Sequence, residues 1–458
     1  MSTKRQKTQM ELAFTTEGRG EAPGAVEGGT EVTMAKRDTE SPAKTERMME
    51  EVCERENLKK ALKRVRSNKG APGVDGMTVD ELPGYLEEHW QEVRGRLLEG
   101  AYRPKPVKRV EIPKPGGGIR KLGIPTVLDR FIQQAVLQVL QERWDPTFSK
   151  RSYGFRPGRS AHQAVARAQE YLAEGYGYVV DIDLEKFFDK VNHDMLMGRV
   201  AKRIADKRLL KLLRAFLNAG VMEKGLIGPS DEGTPQGGPL SPLLSNLVLD
   251  DLDRELEKRE LRFVRYADDC NIYVRSERAG KRVMESISRF IEKKLKLKVN
   301  RKKSAVGKPQ ERKFLGFSFT YGGRPRRRIA PQSLDRFKKR IKGMTRRVGS
   351  MSLERRIAWL RRYLVGWRGY FGFCETPTVL ERLDSWIRRR LRAVVWKLWK
   401  RSRTRFRELK RLGINSVLAG HTAGSAHGGW RVSHSPALDT ALSKAFFNSL
   451  GLPSLAGR

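Results

Sequence analysis

Cysteine is scarce in this chain, and long apolar runs are missing. The 458 residues include three cysteines, Cys53, Cys270 and Cys374, whose spacing excludes a CxxC zinc or redox pair and gives no disulfide framework. No run approaches the ~20 apolar residues that cross a bilayer, and the N-terminus lacks the apolar core of a secretory signal. The sequence therefore predicts a soluble cytoplasmic protein in a reducing compartment, with no membrane partner.

Acidic residues are also scarce, above all in the C-terminal third. Lysine and arginine number 93 against 53 acidic residues, a net charge of +40. Residues 321–458 hold about 32 of the basic and about 7 of the acidic residues. A surplus of this size indicates a polyanionic partner. Arginine outnumbers lysine about 23 to 6 between residues 321 and 420, which favours structured RNA because guanidinium groups bind phosphate bidentately and stack on unpaired bases.

Helical and strand patterns follow one another without regular alternation. Residues 1–46 are rich in Gly, Glu and Thr and are predicted to be disordered. Beyond residue 331 every segment has a helical pattern. This order predicts an α+β fold with an antiparallel sheet and not a doubly wound parallel one. The predicted helices lie near 47–67, 86–100, 131–140, 195–219, 243–261 and 275–295, and the predicted strands at 107–112, 120–124, 178–184, 263–266, 271–274 and 314–320.

Two adjacent acids lie between apolar strands in FVRYADDCNIYV, residues 263–274. Aspartates favour turns for ordinary backbone reasons, so a hairpin with Asp268 and Asp269 at its tip needs no function by itself. Here, however, the flanking segments are apolar, and charge in such surroundings is costly unless a cation neutralises it. The pair is therefore a candidate cation site.

A second acidic cluster lies in YVVDIDLEKFFDKVNHD. Asp181 and Asp183 are two residues apart on a predicted strand and share one face. Asp189 and Asp194, and also Asp181, can be interpreted as helix-start and surface acids. One strand carboxylate beside the hairpin pair would make an all-oxygen site suited to Mg²⁺. Two such ions ~3.5–4 Å apart displace pyrophosphate from a nucleotide in many enzymes.

These two motifs resemble those of reverse transcriptases, whose hairpin reads YxDD and whose acidic strand carries an aromatic residue five positions after the aspartate. The resemblance implies that Asp183, Asp268 and Asp269 are catalytic and hold two Mg²⁺ ions, with Asp181 as the alternative to Asp183. It also implies that Phe188 excludes a ribose 2′-hydroxyl. The implied fold is a right-hand polymerase.

Further blocks follow in the order of that family. PKPGGGIRK, residues 113–121, resembles the fingers hairpin, which implies that Lys114 and Arg120 grip the triphosphate of a dNTP. EGTPQGGPLSPLLSNLVLDDLD, residues 232–253, resembles the loop that approaches the incoming nucleotide, with Gln236 in its PQG triplet. SYGFRPGRS and the segment 295–319 match two more blocks, with Lys303 as a possible general acid for the pyrophosphate. No GxxxxGK[ST] motif is present, so an ATPase interpretation fails.

Three other segments resemble the reverse transcriptase/maturases encoded by bacterial group II introns. They are RSNKGAPGVDGMTVDEL at 66–82, LRRYLVGWRGYFGF at 360–373, and the tail from about residue 411. The implied layout is a disordered segment (1–46), fingers with an N-terminal extension (47–175), a palm (176–328), a helical thumb/maturase domain (329–400) and a small basic DNA-binding domain (401–458).

The maturase segment also has a physical interpretation. Trp359, Tyr363 and Trp367 recur at i, i+4 and i+8, which predicts an aromatic face buried in the core of a helical domain. Arginines lie on the other faces of this predicted helix and at the start of the next basic segment, which begins at residue 388. The residues predicted to bind RNA are Arg355, Arg356, Arg361, Arg362, Arg368, Arg388, Arg389 and Arg390.

The resemblance implies an RNA-directed DNA polymerase that binds its parent intron RNA, assists splicing and promotes retrohoming by target-primed reverse transcription. The expected partners are the intron RNA in a ribonucleoprotein, an RNA template, a DNA target or primer, and dNTPs; the oligomeric state stays open. After Cys374 there is no cysteine, so we expect no HNH-type endonuclease and priming from existing 3′ ends.

Two alternatives remain. One is a splicing factor with a non-catalytic polymerase fold, which the clustered carboxylates argue against because they carry an electrostatic cost. The other is a stand-alone reverse transcriptase of the retron or diversity-generating type, which the long arginine-rich segment argues against.

Overall fold

The computed structural model describes residues 46–113, 118–223, 226–228, 237–346 and 351–457. The chain divides into two compact units. The first comprises the residues up to Ser160 together with Ile182–Cys270 and Arg282–Ala305, and the second comprises Ala161–Asp181, Asn271–Lys281 and Val306–Arg458. The predicted disordered segment, apart from its last residue, lies outside the described residues.

The elements up to residue 228 are mostly helices, with two short pairs of strands and one single strand. In chain order they are α1 (Met48–Val52), α2 (Arg55–Asn68), α3 (Leu82–Leu98), β1 (Val107–Pro113), β2 (Ile119–Ile124), α4 (Val127–Trp144), α5 (Ala161–Ala173), β3 (Tyr178–Ile182), α6 (Phe187–Lys190), α7 (His193–Ala201), α8 (Lys207–Leu217), β4 (Val221–Glu223) and β5 (Leu226–Gly228).

The later elements begin with strands and end in a long helical region. They are α9 (Ser241–Lys258), β6 (Arg262–Tyr266), β7 (Asp269–Val274), α10 (Glu277–Phe290), β8 (Ala305–Gly307), β9 (Phe317–Phe319), β10 (Arg327–Ile329), α11 (Pro331–Met344), α12 (Leu353–Phe371), α13 (Pro377–Leu398), α14 (Ser402–Arg411), α15 (Ser416–Ala423), α16 (Gly429–Val432), α17 (Pro436–Ala441) and α18 (Lys444–Ser449).

Side-chain caps define where several helices begin. The Thr126 hydroxyl accepts a hydrogen bond from the Asp129 amide at the start of α4, and the Ser352 hydroxyl accepts one from the Arg355 amide at the start of α12. Each bond satisfies one of the amides that a first helical turn leaves without a partner.

The strands form a four-stranded sheet of order β2-β1-β4-β5, a second of order β6-β7-β3-β8, and the pair β10-β9 within the described residues. β1 pairs antiparallel with β2, from Lys108 opposite Ile124 to Pro113 opposite Ile119. β1 also pairs with β4, and these two strands are parallel. The mixed helix-and-sheet class is confirmed. The pairs β1–β2, β4–β5 and β9–β10 are antiparallel as expected, but the parallel β1–β4 pair departs from the predicted antiparallel sheet. β4 follows β1 after a long excursion, so no tight turn dictates its direction.

Helices α2 and α4 contribute much of the core of the first unit. Leu58, Leu62 and Val65 are buried on α2, as their helical spacing predicts. On α4, Phe131 and Leu140 are buried as well. The apolar spacing therefore selected the correct face of α2.

In the second unit, helix α12 is buried along a different stripe of its own side chains from the one predicted. Its buried apolar side chains are Ile357, Leu360, Leu364 and Trp367, whereas Trp359 is 40% exposed. A spacing of four residues advances 400° around a helix, so the i, i+4, i+8 series rotates off the core, while steps of three and four stay on it. Trp367 is thus core, as predicted, and the assignment of Trp359 is wrong.

No helix within the described ranges is long and apolar enough to cross a membrane.

Candidate active site

The acidic hairpin predicted at residues 263–274 is formed by neighbouring strands. β6 ends at Tyr266 and β7 begins at Asp269, so the two-residue connection is Ala267 and Asp268. Ala267 has φ 58°, in the left-handed region that a residue with a Cβ seldom adopts. Asp268 therefore extends from a sharply turned backbone.

Asp183 lies near Asp268 although 85 positions separate them in the sequence. It directly follows β3, which neighbours β7 in the sheet. Burial raises the pKa of Asp268, and the negative charge of Asp183 raises it further, while hydrogen bonding to its own backbone and the charges of Arg120 and Arg265 act in the opposite direction. The structure thus brings together carboxylates from two separate motifs.

The backbone of Asp183 is held by a turn at residues 300–304. The amide of Asp183 donates to Ser304 Oγ at 3.0 Å, and the Asn300 amide donates to the carbonyl oxygen of Asp183 at 2.8 Å. Lys303 Nζ lies 4.0 Å from Asp183 Oδ2. The lysine that the sequence suggested as a general acid is therefore beside the predicted catalytic carboxylate.

The other acids of the second cluster have different surroundings. Arg312 donates to Asp181 Oδ2 through Nε at 3.1 Å and Nη2 at 2.5 Å, so the Asp181 charge is compensated. Asp194 pairs with Arg214 at 2.6 Å on the surface. The side chain of Asp189 lies outside the described part of the chain. This pattern favours Asp183 over Asp181 as the cation ligand.

Within the described residues, no group of three or more His, Cys, Asp or Glu side chains is gathered closely enough to hold a metal ion. The donor chemistry is nevertheless suitable, because Asp183, Asp268 and Asp269 supply only carboxylate oxygens, which hard cations prefer. Burial and repulsion from Asp183 raise the pKa of Asp268, and a bound cation would offset both effects. The donor chemistry of these three residues therefore suits a divalent cation.

Two of the predicted nucleotide-binding residues can be located. Phe188 is half-buried on α6, with its ring edge-on to that of Phe187 at 5.2 Å between centroids. Arg120 is exposed on β2 opposite Ile112, and its charge acts on Asp268. Lys114 and Gln236 lie outside the described residues.

Glycines of the motifs mark close backbone contacts. A Cβ on Gly154 would clash with the amide nitrogen of Ala267. A Cβ on Gly237, whose φ is 138°, would lie 2.5 Å from the carbonyl oxygen of Gly123. Gly154 of the SYGFRPGRS block thus packs against the acidic hairpin, and Gly237 packs against strand β2, at positions where only a hydrogen fits.

A polar groove of about 830 Å³ in the first unit was not predicted. Helix α4 contributes Arg130, Gln134 and Gln138 to it. The sequence signal for this groove was the spacing of four residues between these side chains, which makes a polar stripe on a mostly apolar helix. Phe155 also lines the groove, with φ 59° and half of its surface exposed. The remaining charged lining residues are Lys60, Arg64 and Arg156.

The arginines predicted to contact RNA divide into outward and inward residues. Arg355, Arg361 and Arg362 are exposed on α12. Arg356 requires correction: it is buried, and its Nη1 donates to the carbonyl oxygen of Met344 at 2.7 Å. Its guanidinium closes the end of helix α11, so it is unsuited to bind RNA. The other four arginines are partly buried: Arg388, Arg389 and Arg390 lie on α13, and Arg368 lies on α12.

Comparison with known families extends these observations. The family described as "Reverse transcriptase (RNA-dependent DNA polymerase)" matches residues 112–319, and "Group II intron, maturase-specific domain" matches residues 334–413. Protein YkfC of Escherichia coli K12 is 34% identical over 308 residues, covering 58% of this chain and 81% of YkfC. The group II intron-encoded protein LtrA of Lactococcus lactis is 37% identical over 206 residues, covering 45% of this chain and 34% of LtrA.

Among solved structures, a chain of a partial Cas6-RT-Cas1–Cas2 complex matches with 25% identity and a TM-score of 0.35, over 54% of this chain and 42% of that one. The sequence matches define the class as RNA-directed DNA polymerase. More narrowly, the chain belongs to the group II intron-encoded reverse transcriptase/maturases. The predicted resemblance is thereby confirmed. The chain spans about a third of the length of LtrA.

Proposed function

We propose that this protein synthesises DNA on an RNA template, with Asp183, Asp268 and Asp269 as the ligands of two Mg²⁺ ions. The observation that carries the proposal is the juxtaposition of Asp183 with Asp268, in which burial and mutual repulsion raise the Asp268 pKa. These three carboxylates would hold the ions, which would supply Lewis-acid activation of a primer 3′-hydroxyl and compensation of the charge on the leaving pyrophosphate.

The surrounding side chains have complementary roles in this proposal. Lys303, 4.0 Å from Asp183, donates a proton to the pyrophosphate. Arg120 and Lys114 hold the triphosphate, and Gln236 lies against the incoming nucleotide. Phe188 blocks the space that a ribose 2′-hydroxyl would occupy, which makes the site selective for dNTPs.

In the proposed layout, residues 47–175 are fingers, 176–328 a palm, 329–400 a thumb/maturase domain and 401–458 a DNA-binding domain.

The polar groove that Lys60, Arg64 and Arg130 line is suited to a single-stranded template, because it combines positive charge with the exposed ring of Phe155. The template enters beside that ring.

The maturase role rests on the family match over residues 334–413 and on arginines that face solvent. Arg355, Arg361 and Arg362 bind the parent intron RNA, with Arg368, Arg388, Arg389 and Arg390 as flanking contacts. The protein thereby assists splicing and remains in a cytoplasmic ribonucleoprotein. The same complex then copies the intron into DNA from a 3′ end at the target.

Primer extension on an RNA template with dNTPs and Mg²⁺ tests the enzymatic role. Wild-type protein is expected to extend the primer, and Asp268→Asn is expected to abolish extension while intron RNA binding persists. Asp194→Asn is the matched control, because it removes a surface carboxylate paired with Arg214, and it should extend normally. Absence of extension by wild-type protein that still binds intron RNA would instead support a non-catalytic splicing factor.

A further inference from the structure

A buried arginine lies behind the acidic hairpin. Arg265, in β6, is fully buried. Its Nε and Nη2 donate to the two carboxylate oxygens of Asp253 at 2.7 and 2.6 Å. Its Nη1 donates to Asn246 Oδ1 at 3.0 Å and to the carbonyl oxygen of Ala267 at 2.9 Å. One side chain therefore joins helix α9 to the residue immediately before Asp268.

The partners of Arg265 are themselves fixed. Asp253 and Asn246 are seven residues apart on α9, which places them on the same face two turns apart, and both are buried. Asn246 Nδ2 donates to the carbonyl oxygen of Gly154 at 2.9 Å. Because Gly154 also packs against the Ala267 amide, the hairpin is held from two sides.

Stability alone does not explain this arrangement. Apolar residues of similar volume often replace a buried ion pair without loss of stability, so a hydrophobic core would serve as well. What the arginine adds is a directed hydrogen bond to Ala267, whose left-handed φ of 58° must be imposed by its surroundings. A planar fork with several donors can hold a carboxylate, an amide and a carbonyl at once.

We infer that Arg265, together with Asp253 and Asn246, positions the turn so that Asp268 and Asp269 can share a divalent cation. This inference rests on the proposed function of those carboxylates. Arg265 contacts no substrate and is a positioning residue. Its own charge is compensated by Asp253, so its effect on the turn is mainly geometric.

The first test compares Arg265→Lys with wild type in primer extension over a Mg²⁺ series. Lysine keeps the charge but has no planar fork, so we expect the half-saturating Mg²⁺ concentration to rise by about tenfold or more, the effect of losing a residue that orients a metal ligand. The KM for the template-primer should change little. Asp206→Asn is the matched control, because Asp206 is equally buried and caps α8; it should lower the Tm without moving the Mg²⁺ response.

The second test needs no polymerisation. Fe²⁺ with ascorbate, and with hydrogen peroxide as the oxidant, added to the full-length protein alone, should cut the chain near residues 183 and 268, and Mg²⁺ should compete with this cleavage. Arg265→Lys should reduce the yield of cleavage severalfold, and Asn246→Ala, which retains the Arg265–Asp253 pair, should reduce it less.

Cleavage and Mg²⁺ response equal to wild type in both Arg265→Lys and Asn246→Ala would overturn the inference, even if the Tm fell. If Arg265→Lys fails to fold, Asn246→Ala decides alone. Wild-type protein that is cut in an Arg265-dependent way but extends no primer would refute the polymerase proposal and leave the positioning role standing.

Discussion

Gly154→Ala offers a sharp test of how the acidic hairpin is supported. The new methyl group would meet the Ala267 amide nitrogen, the carbonyl carbon of Tyr266 at 2.9 Å and the Cα of Ala267 at 3.1 Å. All three are backbone atoms, so no side chain can rotate away. Forcing a methyl group into such a contact costs about 1–3 kcal/mol, and three backbone neighbours place the estimate toward about 3 kcal/mol.

The expected consequences are measurable by differential scanning calorimetry and primer extension. At about 2–4 °C per kcal/mol for a unit of this size, a destabilisation of about 3 kcal/mol should lower the Tm by roughly 6–12 °C. If the turn moves by about 1 Å to relieve the clash, extension should slow by up to about 100-fold. The two effects have one cause, the displacement of Ala267 and with it Asp268.

Gly95→Ala is the matched control. Gly95 lies inside α3, and beyond the neighbouring backbone of that helix no atom lies within 4 Å of the position that its Cβ would occupy. Alanine should therefore stabilise the helix by about 0.5–1 kcal/mol and leave extension unchanged. A Gly154→Ala protein with the Tm and extension rate of wild type would show that Gly154 does not constrain the acidic hairpin.

Three other predictions concern separate parts of the molecule. Burial raises the pKa of Asp129 despite hydrogen bonds from Thr126 and Tyr102. Between the usual Asp pKa and the raised folded-state pKa, the folded protein binds more protons than the unfolded chain, so Asp129 lowers the free energy of unfolding as the pH rises through this range. Asp129→Asn should therefore flatten that part of a Tm–pH curve. An unchanged slope would show that Asp129 is not the group responsible. Phe188→Ala should admit ribonucleotides in competition assays with dNTPs, and unaltered discrimination would place the sugar gate elsewhere. Replacing both Arg361 and Arg362 by Ala should reduce the salt slope of intron RNA binding by about 1–2, whereas Arg356→Ala should lower the Tm with the slope intact; a slope that Arg356→Ala changes equally would contradict its inward orientation.

Much of the secondary structure was accessible from local patterns. The β1–β2 hairpin, the strand pair around Asp268 and the helices beyond residue 331 occur where periodicity and turn residues predicted them, because these signals act over a few residues. The parallel pairing of β1 with β4 was not accessible. It joins segments more than a hundred residues apart, and no local rule determines which way a returning strand runs.

The roles of individual residues likewise depended on contacts between distant parts of the chain, which local patterns do not predict. Asp181 and Asp183 are equivalent on a strand pattern, and only the tertiary contacts separate them, through Arg312 on one and Lys303 on the other. Arg356 and Arg355 are adjacent in a basic run, yet Arg356 is turned into the helix packing. A charged residue at a helix boundary can face either way, and packing against α11 decides it.

Charge, motif spacing and turn chemistry indicated the class of partner, the order of the polymerase blocks and the candidate acidic residues, because these signals are properties of short stretches of chain. The folded chain was needed to show which acids lie together, which arginines are inside, and that Arg265 holds the acidic turn through Asp253, Asn246 and Ala267. Burial and hydrogen bonding are made by neighbours in space, and those neighbours are supplied by distant parts of the chain.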